Sequence, residues 1–370
     1  GGAIYMSSDS KNIRIFDSNF TKNYAVGDGG ALGLKSEALN INNTIFKSNT
    51  AGRNGGAVYA GRKSTVTIDD VLFEGNSGTE GGALYVTGES AVDVLNTKFV
   101  SNNTDVTDGC GGAITVRSSK LNIDSSEFDK NSANKNGGAI YVSYVGTSKY
   151  NSDVNITDTV FTENDAKKYG GAIYSTVHDV EKSENVIEAQ NLEFKKNAGL
   201  KGGALYLTAG SMTYFEDINF EGNTNTTILD EDAEDYNGGA VYLSESVFEI
   251  NGATFKGNTA KYNGGGLGAY SGSTAILNNV TAIENSAVHA GGFAYNSGST
   301  INIYNSNLKK NSSEETGGAL SLHSLGVTNV YKTIFEENTA GTHGGGAYVY
   351  TEASKTLFQD CSFVKNSALS

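Results

Sequence analysis

Asp230, Asp232, Glu234 and Asp235 belong to the acidic run 230–235, the densest set of oxygen donors in the chain. Hard carboxylate donors so spaced suit Ca2+. They stand in the stretch TNTTILDEDAEDYN, which lacks the glycine and the distal glutamate of an EF-hand loop, so a solvated acidic loop is preferred over a specific calcium site. His178, Asp179 and Glu181 are the best remaining group for acid–base work. Elsewhere the reactive types are scattered: arginine occurs only at Arg14, Arg53, Arg62 and Arg117, and the other histidines are His289, His323 and His343. Cleavage of a polysaccharide needs paired carboxylates, or Ca2+-binding acids with an Arg or Lys base. The sequence shows neither, so the expectation is a protein that is not an enzyme, with no catalytic residue and no cofactor beyond the Ca2+ that the acidic loop could take.

The elements that must carry these groups are set by a repeat. A Gly-Gly pair recurs at Gly1, Gly29, Gly55, Gly81, Gly111, Gly137, Gly170, Gly202, Gly238, Gly264, Gly291, Gly317 and Gly344. Each of the thirteen units also carries FxxN, whose Asn is invariant (Asn23, Asn49, Asn76, Asn102, Asn131, Asn164, Asn197, Asn223, Asn258, Asn285, Asn311, Asn338, Asn366) and whose Phe is replaced only by Ala282 and Leu308. Within a unit the apolar period is two. The fourth position (Ile4, Val58, Ile140, Leu205, Leu320) and the sixth (Met6, Val86, Val142, Leu207, Leu243) share one buried face of a strand. A second apolar column lies five residues before the Phe, and between them ten units place Asp or Asn, residue types that tolerate the left-handed conformation of a turn.

Three short strands in about 26 residues cannot cover their own edges, whereas stacking successive units about 4.8 Å apart does so. The expected fold is all-β, a right-handed single-stranded parallel β-helix of about 13 coils over residues 1–370, some 60 Å long and expected to be part of a longer chain. Phe fills the interior, the FxxN Asn forms an amide ladder, and the Gly pair makes a bend that a Cβ would block. The 47 Gly, absent Pro and absent Trp agree with uninterrupted backbone pairing. A net charge of −14 repels phosphate backbones, which excludes nucleic acid as the expected partner, and no apolar run is long enough to span a membrane. Cys110 and Cys361 are too few for a disulfide framework or a structural zinc site.

GGA[ILV]Y combined with FxxN along the whole chain resembles the polymorphic outer membrane protein repeat of chlamydial autotransporter passengers and adhesin-like surface proteins. The resemblance implies an extracellular, cell-surface protein that is often adhesive.

Candidate binding residues follow from the fifth position of the unit, expected to face outward. It is Tyr in nine units, and Tyr141, Tyr174, Tyr206 and Tyr242 are the central ones. Such a stripe could stack on sugar rings, although a cross-coil aromatic ladder is the reading given more weight. The longest insertions, 143–153, 177–186 and 224–237, fall in consecutive units. Of seven Asn-x-Ser/Thr sequons, Asn155 and Asn225 are the expected acceptors in a eukaryotic source. The expected function is an adhesive or structural surface segment, with cell-surface or host glycans and proteins, or further copies of itself, as partners; a filament subunit is the first alternative and a carbohydrate-active enzyme the second.

Overall fold

The computed structural model describes residues 1–7, 13–35, 37–144, 151–177, 184–225, 236–323, 325–350 and 355–369. They form an all-β parallel β-solenoid of about 12 turns, divided into two compact units, residues 1–188 and 189–370. Coils are numbered here by their Gly pairs, from Gly1 for coil 1 to Gly344 for coil 13.

Every coil opens with a short strand. In the first unit these are Ile4–Met6, Leu32–Lys35, Val58–Gly61, Leu84–Thr87, Ile114–Arg117, Ile140–Ser143 and Ile173–Thr176, paired in parallel with matched register, Val58 to Leu84 and Tyr59 to Tyr85. The second unit continues the pattern with Leu205–Thr208, Val241–Ser244, Leu267–Tyr270, Ala294–Ser297, Leu320–His323 and Ala347–Val349. The expected second and third strands are two arms of one sheet. In coils 2 and 3 they run as single bent strands, Ala38–Lys47 and Thr65–Glu74. The bend is the Asp/Asn column, and all thirteen members have φ between +44° and +55° or, at Gly252, +72°. That includes Ser125 and Lys332, where the residue type gives no signal.

A further sheet, absent from the sequence reading, follows the FxxN Asn. Its strands are mostly two residues long, as at Thr50–Ala51 and Ser77–Gly78, too short to leave a period.

Corners between strands are where backbone groups lose their ladder partners, and each corner replaces them with a column of side chains. At the Asn corner, Asn76 N–H and Nδ2 both donate to Asn102 Oδ1, at 3.0 and 2.9 Å, while Nδ2 also donates to the Phe46 carbonyl at 2.9 Å. At the bend, hydroxyls take over: the Thr97 N–H donates to Ser126 Oγ and the Val280 N–H to Ser306 Oγ. After the first strand, Ser64 N–H donates to Ser90 Oγ, and Ser273 N–H to Ser299 Oγ. Each such bond contributes about 1 kcal/mol, and an unmade one at a buried corner costs about 1–3 kcal/mol.

The interior between the corners is apolar. Phe20, Phe46, Phe73, Phe99, Phe128 and Phe161 stack face to face with centroids 4.7–5.0 Å apart. The departures from this column are compensated. Ala282 leaves a void in coil 10 that Phe293 fills from coil 11, 5.4 Å from Phe255 and edge-on to it. Gly266 makes the entry possible, since a Cβ there would lie 2.7 Å from Phe293 Cδ2. The Gly pair acts as expected: Gly55 has φ +68°, and a Cβ on Gly56 would lie 1.9 Å from the Gly82 carbonyl oxygen.

Candidate functional site

The fifth-position tyrosines project from the outer face of the first sheet, alternating with the buried fourth and sixth positions. They are not the exposed stripe that the sequence suggests. Tyr85 is 7 % exposed and Tyr174 and Tyr242 8 % each, because neighbouring coils place their rings face to face. Tyr59 stacks on Tyr85 at 5.7 Å, Tyr141 on Tyr174 at 5.5 Å and Tyr206 on Tyr242 at 4.7 Å. Each ring shields the face of the next, so edges reach solvent while few faces are free for a sugar. Tyr5, 53 % exposed, is an exception.

Four coils lack tyrosine at position five: Gly33, Thr115, Gly268 and Ser321 take its place. In these coils the larger side chain moves to position seven, as Lys35, Arg117, Tyr270 and His323. Coils with tyrosine at five carry Gly, Ser or Thr at seven, except for Tyr348 and Tyr350 in coil 13. The exchange is physical, since the two positions lie on one side of the strand and compete for one layer of space. Tyr270 leans over Gly268, stacking 4.9 Å from Tyr242 and lying tilted by 32° at 5.5 Å from Tyr295. His323 takes the rung above Tyr295 at 4.9 Å, with Nε2 3.1 Å from Ser321 Oγ. Burial holds its imidazole below the usual histidine range.

Arg117 fills the rung of coil 5, its guanidinium 5.6 Å from the Tyr141 centroid. It donates to Glu80 Oε1 at 2.5 Å, while Glu80 Oε2 and Arg117 Nε are buried without partners. Burial pushes the Glu80 carboxyl up, and the guanidinium offsets this only in part. Thr115 Oγ1 donates to the Cys110 carbonyl, and burial pushes the Cys110 thiol up to about 11, which leaves it protonated and unreactive at neutral pH.

The remaining candidates are dispersed. His289 stacks on Tyr262 at 4.6 Å, with Nδ1 2.8 Å from Asn263 Oδ1 and Nε2 3.2 Å from Glu315. Asn155 is exposed on the strand Asp153–Thr157. Asn225, expected to be an open acceptor, is 2 % exposed; its Nδ2 donates to the Leu200 carbonyl at 3.1 Å and its Oδ1 accepts from the Lys261 N–H at 2.9 Å. The amide that glycosylation requires is therefore already engaged. Asp230, Asp232, Glu234, Asp235, His178, Asp179 and Glu181 lie outside the described residues. Among the described residues no group of three or more His, Cys, Asp or Glu is placed to hold a metal ion.

The pattern of a left-handed turn, FxxN, a Gly pair and an outer tyrosine is the one that a known family repeats. The Chlamydia polymorphic membrane protein repeat matches residues 43–61, 70–87, 125–143 and 158–176. The chain carries polymorphic-membrane-protein repeats. Each matched stretch begins at the left-handed bend residue (Asn43, Asp70, Ser125, Asp158) and ends at position seven of the following coil. All four end in coils with tyrosine at five and a small residue at seven, so the matched form of the polymorphic-membrane-protein repeat is the unexchanged one. No curated protein and no solved structure matches the chain.

Proposed function

We propose that the chain is a non-enzymatic, surface-displayed segment that combines a structural role with adhesion to cell-surface glycans or proteins. What supports the reading is the repeat itself: a family of surface membrane proteins shares it, and a surface structural role fits a β-solenoid. Its conserved positions serve stacking and laddering, and its outer columns are left to vary.

The outer face of the bent sheet is better suited to contact than the tyrosine column. It presents side chains in parallel register, among them the pairs Asn122–Asp93, Thr157–Asp124 and Asn329–Asn302 at 2.6–2.9 Å. Cross-coil ion pairs such as Lys47–Glu74 and Lys309–Glu336 line the adjoining arm. Many weak hydrogen-bonding groups at fixed spacing favour a repetitive partner, whose avidity grows with the number of coils engaged. Among the described residues no helix is long and apolar enough to cross a membrane.

The test is incubation with a panel of cell-surface polysaccharides, reading retention and new reducing ends in the same tubes. Retention without cleavage is the expected result. New reducing ends would establish an enzyme, and absence of retention on every glycan and on intact cells would leave only the structural role.

A further inference from the structure

Coil 2 is where the exchange between positions five and seven leaves its rung without a planar group. Coil 5 supplies a guanidinium, coil 10 a phenol and coil 12 an imidazole, whereas Gly33 is accompanied by Lys35. The Lys35 ammonium sits 5.7 Å from the Tyr5 centroid and contributes a cation but no plane. A cavity of about 470 Å³ opens at this point, lined by Tyr5, Tyr24, Asp28, Gly33, Lys35 and Tyr59. Position five cannot close it, because a Cβ on Gly33 would lie 2.7 Å from the Gly1 nitrogen and 3.2 Å from Tyr5 Cδ2. Tyr5 and Tyr59 stand two coils apart, a separation of about 10 Å, which admits one ring at stacking distance from each.

We propose that this slot binds a planar phenol-type ring bearing an anionic substituent, stacked between Tyr5 and Tyr59 with the substituent on the Lys35 ammonium. The column itself shows which shapes its rungs accept, since Tyr270 fills the same gap over Gly268. The sign of the substituent follows from Lys35, which an entering ring displaces from the face of Tyr5. An anionic guest retains that charge as a partner, whereas a cationic guest would oppose it. Asp28 also lines the slot, its Oδ1 accepting the Asn54 N–H at 3.2 Å, so the anionic substituent is assigned to the Lys35 ammonium and not to the Asp28 carboxylate. Two sources carry this chemistry, a free aryl carboxylate and a tyrosine beside an acidic residue in an extended peptide. The slot requires no glycan, so it stands or falls apart from the adhesive reading.

Calorimetric titration of the chain with p-hydroxyphenylacetate and with an acetylated Tyr-Asp dipeptide amide tests the proposal. Saturable one-to-one binding is expected, the tighter probe naming the source. Lys35→Tyr should plug the slot from position seven and weaken binding at least about ten-fold, with an unchanged circular dichroism spectrum and no loss of melting temperature. Tyr5→Ala, which removes one wall and leaves the rest of the stack, should weaken binding too. Failure of both probes to saturate, binding that survives both substitutions, or a disaccharide occupying the slot in their place would overturn it.

Discussion

The backbone N–H and the side-chain Nδ2 of Asn258 both donate to one oxygen, Oδ1 of Asn285, at 3.0 and 2.9 Å. Asn258 in turn accepts the same pair of bonds from Asn223 and donates from Nδ2 to the Phe220 carbonyl at 2.9 Å. The amide is therefore saturated at full burial, with two bonds to its oxygen and two from its nitrogen. This explains why no other residue type appears at the thirteen FxxN positions: no other side chain combines this length with a donor and an acceptor.

Asn258→Ala should accordingly cost more than its size suggests. It leaves the Asn223 N–H without its acceptor, Asn223 Nδ2 with only its bond to the Phe194 carbonyl, and the Phe220 carbonyl without the Asn258 donor, and each unmade buried bond costs about 1–3 kcal/mol. Denaturant unfolding should show a loss of about 3 kcal/mol or more; a loss below about 1 kcal/mol would mean that water replaces the ladder.

Two glycines of one coil should respond in opposite ways. A Cβ on Gly239 would lie 2.2 Å from the Gly265 carbonyl oxygen, so Gly239→Ala must separate two backbones and should abolish cooperative melting. Gly257 has φ +61° but nothing within 4 Å of a Cβ, and its column holds Lys, Ser and Glu in other coils at similar φ. Gly257→Asn should therefore leave the melting temperature within a few degrees of the parent or raise it, because asparagine tolerates this conformation and restricts the unfolded chain. Equal damage from both substitutions would contradict the distinction.

The difference between these glycines shows what was legible in the sequence. The Gly pair, FxxN and the Asp/Asn bend each demand a residue type, and that demand appears as a column. The left-handed residue just before the FxxN Asn leaves no such trace, since Lys22, Ser48, Glu163 and Gly222 all adopt it with φ between +52° and +65°. There the conformation is imposed by the bonds of the following Asn. The burial of the tyrosines is not legible along one strand for a related reason. Alternation along one strand says that Tyr174 points outward, but only the parallel neighbour, with Tyr141 at 5.5 Å, says that it is covered. The exchange between positions five and seven was present in the sequence throughout. Its meaning lies in the third dimension, where a ring from seven reaches over five, as Tyr270 does over Gly268.

Tyrosine ionisation gives a direct measure of this cover. Burial raises the Tyr174 and Tyr295 hydroxyls to about 12, against an ordinary value near 10. A phenol whose folded value is raised binds its proton longer in the folded state, so its contribution is fully present below about pH 10 and is lost as pH rises towards 12. Spectrophotometric titration should show a set of tyrosines that stay neutral through pH 11, with stability falling across the same window. A single transition near pH 10 for every tyrosine would show the column to be open.

The exchange itself is testable by completing it in one coil. Tyr270→Ser removes the rung between Tyr242 and Tyr295, together with the hydrogen bond from its hydroxyl to Asn237 Oδ1 at 2.8 Å, and should cost about 3–5 kcal/mol. Gly268→Tyr alone is also unfavourable, because its Cβ would lie 3.0 Å from Tyr270 Cε2 and its ring would need the space that Tyr270 holds. Made together, the two changes give coil 10 the arrangement of coil 9, where Tyr242 is followed by Ser244. The nearest backbone to the new Cβ is the Gly238 nitrogen at 3.4 Å, which permits the side chain. The double variant should recover most of the loss, falling short by the Asn237 bond, and the cycle should show a favourable coupling of at least about 2 kcal/mol. Additive losses would mean that the rings do not compete for one site, and the reciprocity of positions five and seven would then have no physical basis in the stack.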